Sequence, residues 1–189
     1  MVVGALGGYA LGAVNPASLV ARARGVDLRA AGSGNPGATN AGRVLGPGFG
    51  VLVGVLDVLK GFVPAFVLSR YGGAGAGEIA GLAAVVGHIT SPYLRGRGGK
   101  GVATALGAIL GVQPLWAIPV LAVFGVVVLL THRVGLGAVA GSLTLVPVAL
   151  LTGGSGWDVG FAAALTVLIV ARHRDNLRAA FRSGDGGSA

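Results

Sequence analysis

GFGVLVGVLDVLKGFVPAFVLS occupies residues 48–69 and is interrupted by charge only at Asp57 and Lys60. A helix needs about 20 apolar residues to cross a bilayer, so this run is long enough for a full crossing. Asp57 and Lys60 are three apart, neighbours on one helical face, and are expected to pair. Ions inside a span are candidates for function by default. Further apolar runs cover roughly residues 1–20, 76–90, 102–113, 115–131, 134–152 and 157–171. Several are short for a full crossing, which predicts tilted, half-length or re-entrant helices.

Composition points the same way. The chain has 189 residues, 53% apolar and 11% charged, with mean hydropathy +0.82. Soluble domains carry about 25% charged residues. The expected class is all-α, a polytopic integral membrane protein with one transmembrane domain over residues 1–182 and a flexible tail over 183–189. The 37 glycines allow close helix contact. Net charge is +8. Basic residues lie between apolar runs and aromatics are few, which suggests cytoplasmic loops, anionic headgroups or a phosphorylated substrate and no nucleic acid. The absence of cysteine excludes disulfides, thiolate metal sites and a Cys nucleophile. The first run lacks a basic n-region and reads as a retained span.

Positive charge fixes an orientation. Arg22, Arg24, Arg29 and Arg43 follow the first run; Arg95, Arg97 and Lys100 form a second group; Arg133 stands alone; Arg172, Arg174, Arg178 and Arg182 end the chain. These twelve of the fourteen basic residues fall on one side if residues 102–131 cross twice, turning near Gly111–Pro114. That predicts about seven crossings, the N-terminus outside and the C-terminus cytoplasmic.

Three polar segments share the predicted inner side. In AAGSGNPGATNAGRVLG, residues 30–46, Gly32–Gly37 fits G-x-G-x-x-G, but no strand precedes it and Asp57 lies inside a span, so a dinucleotide site is excluded. A glycine-rich turn can instead expose backbone N–H groups to an anion. Ser33, Thr39, Asn35 and Asn40 add neutral donors, and Arg43 adds charge. In GHITSPYLRGRGGKGVATALG, residues 87–107, Gly101 and Leu94 break the Walker A pattern. Arg95, Arg97 and Lys100 on a glycine-rich turn before an apolar helix still suit a phosphate. In ARHRDNLRAAFRSG, residues 171–184, Arg172, His173 and Asn176 are expected within one helical turn at the membrane surface, with Arg178 and Arg182 facing headgroups. Only Lys60 and Lys100 are lysines among the fourteen basic residues, a hint that a compact ammonium is wanted there. For Lys60, structural pairing and a direct role weigh equally. His88 and His132 have no acidic residue or histidine near them in sequence, which argues against metal, and the six acidic residues are too scattered for a carboxylate pair.

Taken in order, the segments resemble the bacterial membrane acyl-phosphate:glycerol-3-phosphate acyltransferases. The resemblance rests on Gly32-Ser33-Gly34-Asn35, Gly37 and Asn40; on Gly87, His88, Leu94 and Gly98–Thr104; and on His173, Arg174, Asn176 and Arg178. Residues 50–61 are also similar. Departures are Thr90-Ser91 for an aromatic-Pro pair, Gly96-Arg97 for Phe-Lys, and Gly135 for a serine. The resemblance implies transfer of an acyl group from acyl phosphate to sn-glycerol 3-phosphate, giving 1-acylglycerol 3-phosphate and phosphate, the first step of phospholipid synthesis. It implies no cofactor and a bacterial inner-membrane enzyme with a cytoplasmic active face. Ser33, Lys100, His173 and Asn176 would be catalytic. Gly32, Gly34, Asn35, Gly37, Thr39, Asn40, Arg43, Lys60, His88, Arg97, Gly98, Gly99, Thr104 and Arg172 would bind substrate. The alternatives are a small transporter or channel for an anionic solute, and an inactive relative. The one-sided polar segments and the lack of an internal repeat weigh against transport.

Overall fold

The apolar runs are helical because they must satisfy every backbone group internally. The computed structural model describes residues 1–182, with side chains through residue 180, so the expected tail over 183–189 lies outside the described residues. The helices are α1 (Val2–Ala13), α2 (Pro16–Ala23), α3 (Ala38–Leu45), α4 (Pro47–Tyr71), α5 (Ala76–Thr90), α6 (Val102–Val112), α7 (Ala117–Thr131), α8 (Val134–Leu143), α9 (Leu145–Leu151), α10 (Gly156–Arg172) and α11 (Arg174–Arg182). Short 3-10 turns lie at Pro92–Leu94 and Pro114–Trp116. The described residues contain no strand.

Among the described residues, four segments are long and apolar enough to cross a membrane: Val2–Ala23, Pro47–Tyr71, Pro114–Thr131 and Val134–Leu151. The first is broken at Val14 and Asn15, both extended, and Pro16 disfavours helix at Asn15 before it. Asn15 then caps α2 by accepting from Ser18 N–H at 2.8 Å. The helix breaks where a turn is expected near Gly111–Pro114, α6 ending at Val112. A capping box of Ser155 and Asp158 starts α10.

Backbone contacts gather into two compact units, residues 1–114 and the part beginning at residue 115. In the first unit, α4 turns Val51, Leu52, Val55, Leu56, Leu59, Val63 and Val67 outward, while Val53, Asp57, Lys60, Gly61, Pro64 and Ala65 face inward. Its polarity is thus the reverse of a soluble helix, with lipid as the outer solvent. Glycines bring its helices together. Gly12 lies against Ala84 O between α1 and α5, and Gly107 against Val58 O between α4 and α6, with no room for a methyl group at either. Gly107→Val should therefore cost at least about 1–3 kcal/mol by overpacking. A lower melting temperature, or loss of the monodisperse peak in detergent, is the expected result.

In the second unit, α7 packs on α8, and α10 on α8 and α9. The third polar segment does not form the single helical turn expected of it. α10 ends at Arg172, His173 leaves helical geometry, and α11 begins at Arg174. The last carbonyls of α10 are capped by His173, whose N–H reaches Ile169 O and Val170 O.

Candidate functional site

Asn40 organises the first glycine-rich loop. Its Oδ1 accepts from Ser33 N–H at 2.8 Å, and its Nδ2 donates to Leu28 O at 3.1 Å and Ala31 O at 3.0 Å. The side chain is 1% exposed. Gly32 makes this possible: its φ is +60°, and a Cβ there would strike Asn40 Oδ1. Gly34 N–H donates to Ala31 O, and Gly37 N–H to Asn35 O. The backbone donors of Ser33, Gly34 and Gly37 are thus engaged within the loop. Its outward groups are the exposed Ser33, and Thr39 and Arg43 one turn apart on the exposed face of α3. Beneath it, Ala17, Ala21, Leu28, Ala41 and Val53 form an apolar cluster. Arg22, Arg24, Arg29 and Arg43 are all exposed around it, giving a positive face.

The second loop rests on His88. Gly98 N–H donates to Ile89 O at 2.9 Å, and the Gly98 backbone lies against His88 O. Gly99 lies against His88 Nε2, with no room for a Cβ. Arg95 and Arg97 are exposed, and Lys100 is half-buried at the rim, directly before α6. Thr104, on the first turn of α6, is fully buried, and its hydroxyl has no hydrogen-bond partner.

Between the loops runs a connection that the sequence did not reveal. Asp57 and Lys60 pair as expected, at 2.9 Å. Asp57 Oδ1 also lies 3.4 Å from His88 Nδ1. Lys60 Nζ donates to Val14 O at 2.8 Å. Ser91 Oγ donates to Ala13 O, and Asn15 Nδ2 donates to Pro36 O at 3.0 Å. Three consecutive residues at the break after α1 therefore hold three different segments: the end of α5, the α4 ion pair and the first loop. The one visible signal was Asn15-Pro16, a polar break in an apolar run. Ser91 occupies one of the departing positions, and its hydroxyl has a defined structural task. His88 has an acidic neighbour in space although none in sequence.

In the second unit, His173 is 2% exposed, with Nδ1 2.8 Å from Ile169 O, so that nitrogen is the protonated one. Asn176 is half-buried, and its amide lies against Gly135, where a Cβ would strike Nδ2. The absence of a Cβ at Gly135 thus leaves room for Asn176. Arg172 and Arg178 are exposed, and the side chain of Arg182 lies outside the described residues. Among the described residues no group of three or more His, Asp or Glu could hold a metal ion.

A family model described as glycerol-3-phosphate acyltransferase matches residues 2–183. A glycerol-3-phosphate acyltransferase of Geobacter sulfurreducens is 40% identical, covering 90% of this chain and 88% of that protein. One from Deinococcus radiodurans, glycerol-3-phosphate acyltransferase 1, is 41% identical over 90% of this chain and 86% of its own length. Two crystal structures of PlsY (YgiH), an integral membrane glycerol 3-phosphate acyltransferase, are similar across the chain. The glycerol 3-phosphate form has TM-score 0.92 and 35% identity, covering 96% of this chain and 92% of that one. The lysophosphatidic acid form has TM-score 0.90 and 34% identity over the same shares.

Proposed function

This chain belongs to the glycerol-3-phosphate acyltransferase family, and we propose that its acyl donor is an acyl phosphate held at the first glycine-rich loop. It is an integral membrane enzyme that acylates glycerol 3-phosphate. The transporter reading is left without support. The observation that carries the proposal is the pair of glycine-rich basic loops in one unit, joined by a single polar connection through Val14, Lys60, Asp57 and His88. Two loops suit two phosphate-bearing substrates.

Acyl phosphate is already activated, so the chain needs to position and stabilise rather than supply a nucleophile. The glycerol 3-phosphate hydroxyl oxygen forms the new bond to the acyl carbonyl carbon. The carbon–oxygen bond to phosphate breaks, and the hydroxyl proton leaves with a phosphate oxygen. Ser33 and Asn35 would hold the acyl phosphate through their side chains, on the turn that Gly34 shapes by donating its N–H to Ala31 O; Thr39 and Arg43 would stand beside it. Arg97, Gly98, Gly99 and Lys100 would hold the phosphate of glycerol 3-phosphate. Gly32, Gly37 and Asn40 would shape the first loop, and His88 and Thr104 the second. Lys60 would add positive charge from beneath. The role proposed for Arg172, His173 and Asn176, orienting the attacking hydroxyl, rests on the motif alone.

Seven helical stretches suit seven crossings: α1 with α2, α4, α5, α6, α7, α8 with α9, and α10. Charge asymmetry supports an outside N-terminus and a cytoplasmic active face at a bacterial inner membrane. The test is phosphate release from palmitoyl phosphate by the purified protein in lipid, with and without glycerol 3-phosphate. Release that requires glycerol 3-phosphate and yields lysophosphatidic acid is expected. No release from intact protein would overturn the donor assignment. In the same assay Ser33→Ala, Lys100→Ala and Asn176→Ala should each remove activity while membrane insertion persists. Near wild-type turnover in all three would sink the site.

A further inference from the structure

We propose that Asp57 is a positioning residue for the second loop: acting through His88, it fixes the Gly98–Lys100 turn and so sets the KM for glycerol 3-phosphate. This rests on the reading that the turn holds that substrate. Asp57 is 2% exposed on the inner face of α4 and cannot itself reach a ligand in water or lipid. Neutralising Lys60 would be sufficient reason for a carboxylate here, yet Oδ1 also faces His88 Nδ1 on α5. His88, 4% exposed, is confined at both edges of its ring. The carboxylate stands at Nδ1, and the Gly99 backbone lies against Nε2 without space for a methyl. At 3.4 Å, longer than a well-formed hydrogen bond, the carboxylate still favours by its charge one orientation of the imidazole and the tautomer protonated at Nδ1. Ring orientation is therefore coupled to the place of Gly99, and Gly99 is bonded directly to Lys100. A displaced Gly99 therefore moves Lys100 and weakens its grip on the phosphate of glycerol 3-phosphate, which is read as KM. The ion pair that looks purely structural along α4 thus bears on a loop from another part of the chain.

The test is steady-state lysophosphatidic acid formation by the purified full chain in lipid, with each substrate varied in turn. His88→Asn keeps an amide nitrogen near the place of Nδ1 for Asp57 and removes the edge that meets Gly99. It should raise the KM for glycerol 3-phosphate about tenfold or more, with kcat and the KM for acyl phosphate within about threefold. Asp57→Asn should do the same, and the double variant should be no worse than the worse single one, because the two act on one path. Where Asp57→Asn is not monodisperse, Gly99→Ala takes its place. It should raise the same KM, and His88→Asn added to it should make the defect no worse. A wild-type KM for glycerol 3-phosphate in His88→Asn or Gly99→Ala overturns the proposal, as do losses that multiply in the double variant or a fall in kcat alone. The parent reading fails separately, if the wild-type protein forms no lysophosphatidic acid.

Discussion

Asn40→Asp should lower acyl transfer by at least about a hundredfold while leaving the protein folded and inserted. The change replaces one atom. Oδ1 can still accept from Ser33 N–H, but the atom facing Leu28 O and Ala31 O becomes an acceptor. Two hydrogen bonds turn into two oxygen–oxygen repulsions at a position 1% exposed to solvent. Each buried group left unsatisfied costs about 1–3 kcal/mol, more beside a charge. The loop can relieve this only by opening, and Ser33 moves with it. Far less of the fold depends on the loop than on the helix packing below, so the loss should fall on turnover. Lysophosphatidic acid formation alongside size-exclusion behaviour checks this. Turnover within about threefold of wild type would show that loop closure is not needed.

Asp57→Leu should yield little folded protein, and Asp57→Leu with Lys60→Met should restore much of it. Removing the carboxylate alone leaves the Lys60 ammonium, 5% exposed, with only Val14 O for compensation. Breaking a buried pair in this way costs about 3–5 kcal/mol, whereas replacing both partners with apolar groups of similar size is often neutral or better. Melting temperature in detergent distinguishes the cases. A stable Asp57→Leu single variant would mean that Lys60 finds another partner or leaves the interior. The double variant should still transfer acyl groups poorly, since His88 has lost the carboxylate that faces its ring.

The sequence was most informative where the relevant distance is short along the chain. The Asp57–Lys60 pair was legible because residues three apart on a helix are neighbours whatever the helix packs against. The helix break before Pro114 was legible for a similar reason, since glycine and proline act on the backbone locally. The final segment was less legible: helical spacing extended smoothly through His173, but the chain leaves the helix there and starts another. His88 has no acidic residue near it in sequence, and its neighbour Asp57, on a different helix, became visible only in the packed structure. Asn40 was legible as polar and grouped with ligands, but its face was not. On α3 it lies on the side toward the apolar cluster, while Thr39 and Arg43 lie on the other.

By itself, then, the sequence determined the solvent of this protein, its helical class and the identity of its polar segments. Those follow from run lengths, from charge placement and from residue types in order, all of which are one-dimensional. Only the tertiary structure decided which polar groups serve the fold. Lys60 meets Val14 across 46 positions, Ser91 meets Ala13 across 78, and Asn15 meets Pro36 across 21. Such pairings depend on which helix faces pack together, and that is set by glycines at close crossings such as Gly12 on Ala84 and Gly107 on Val58. Helical period can give a residue its place on a face. Only the packed neighbour determines what that face touches.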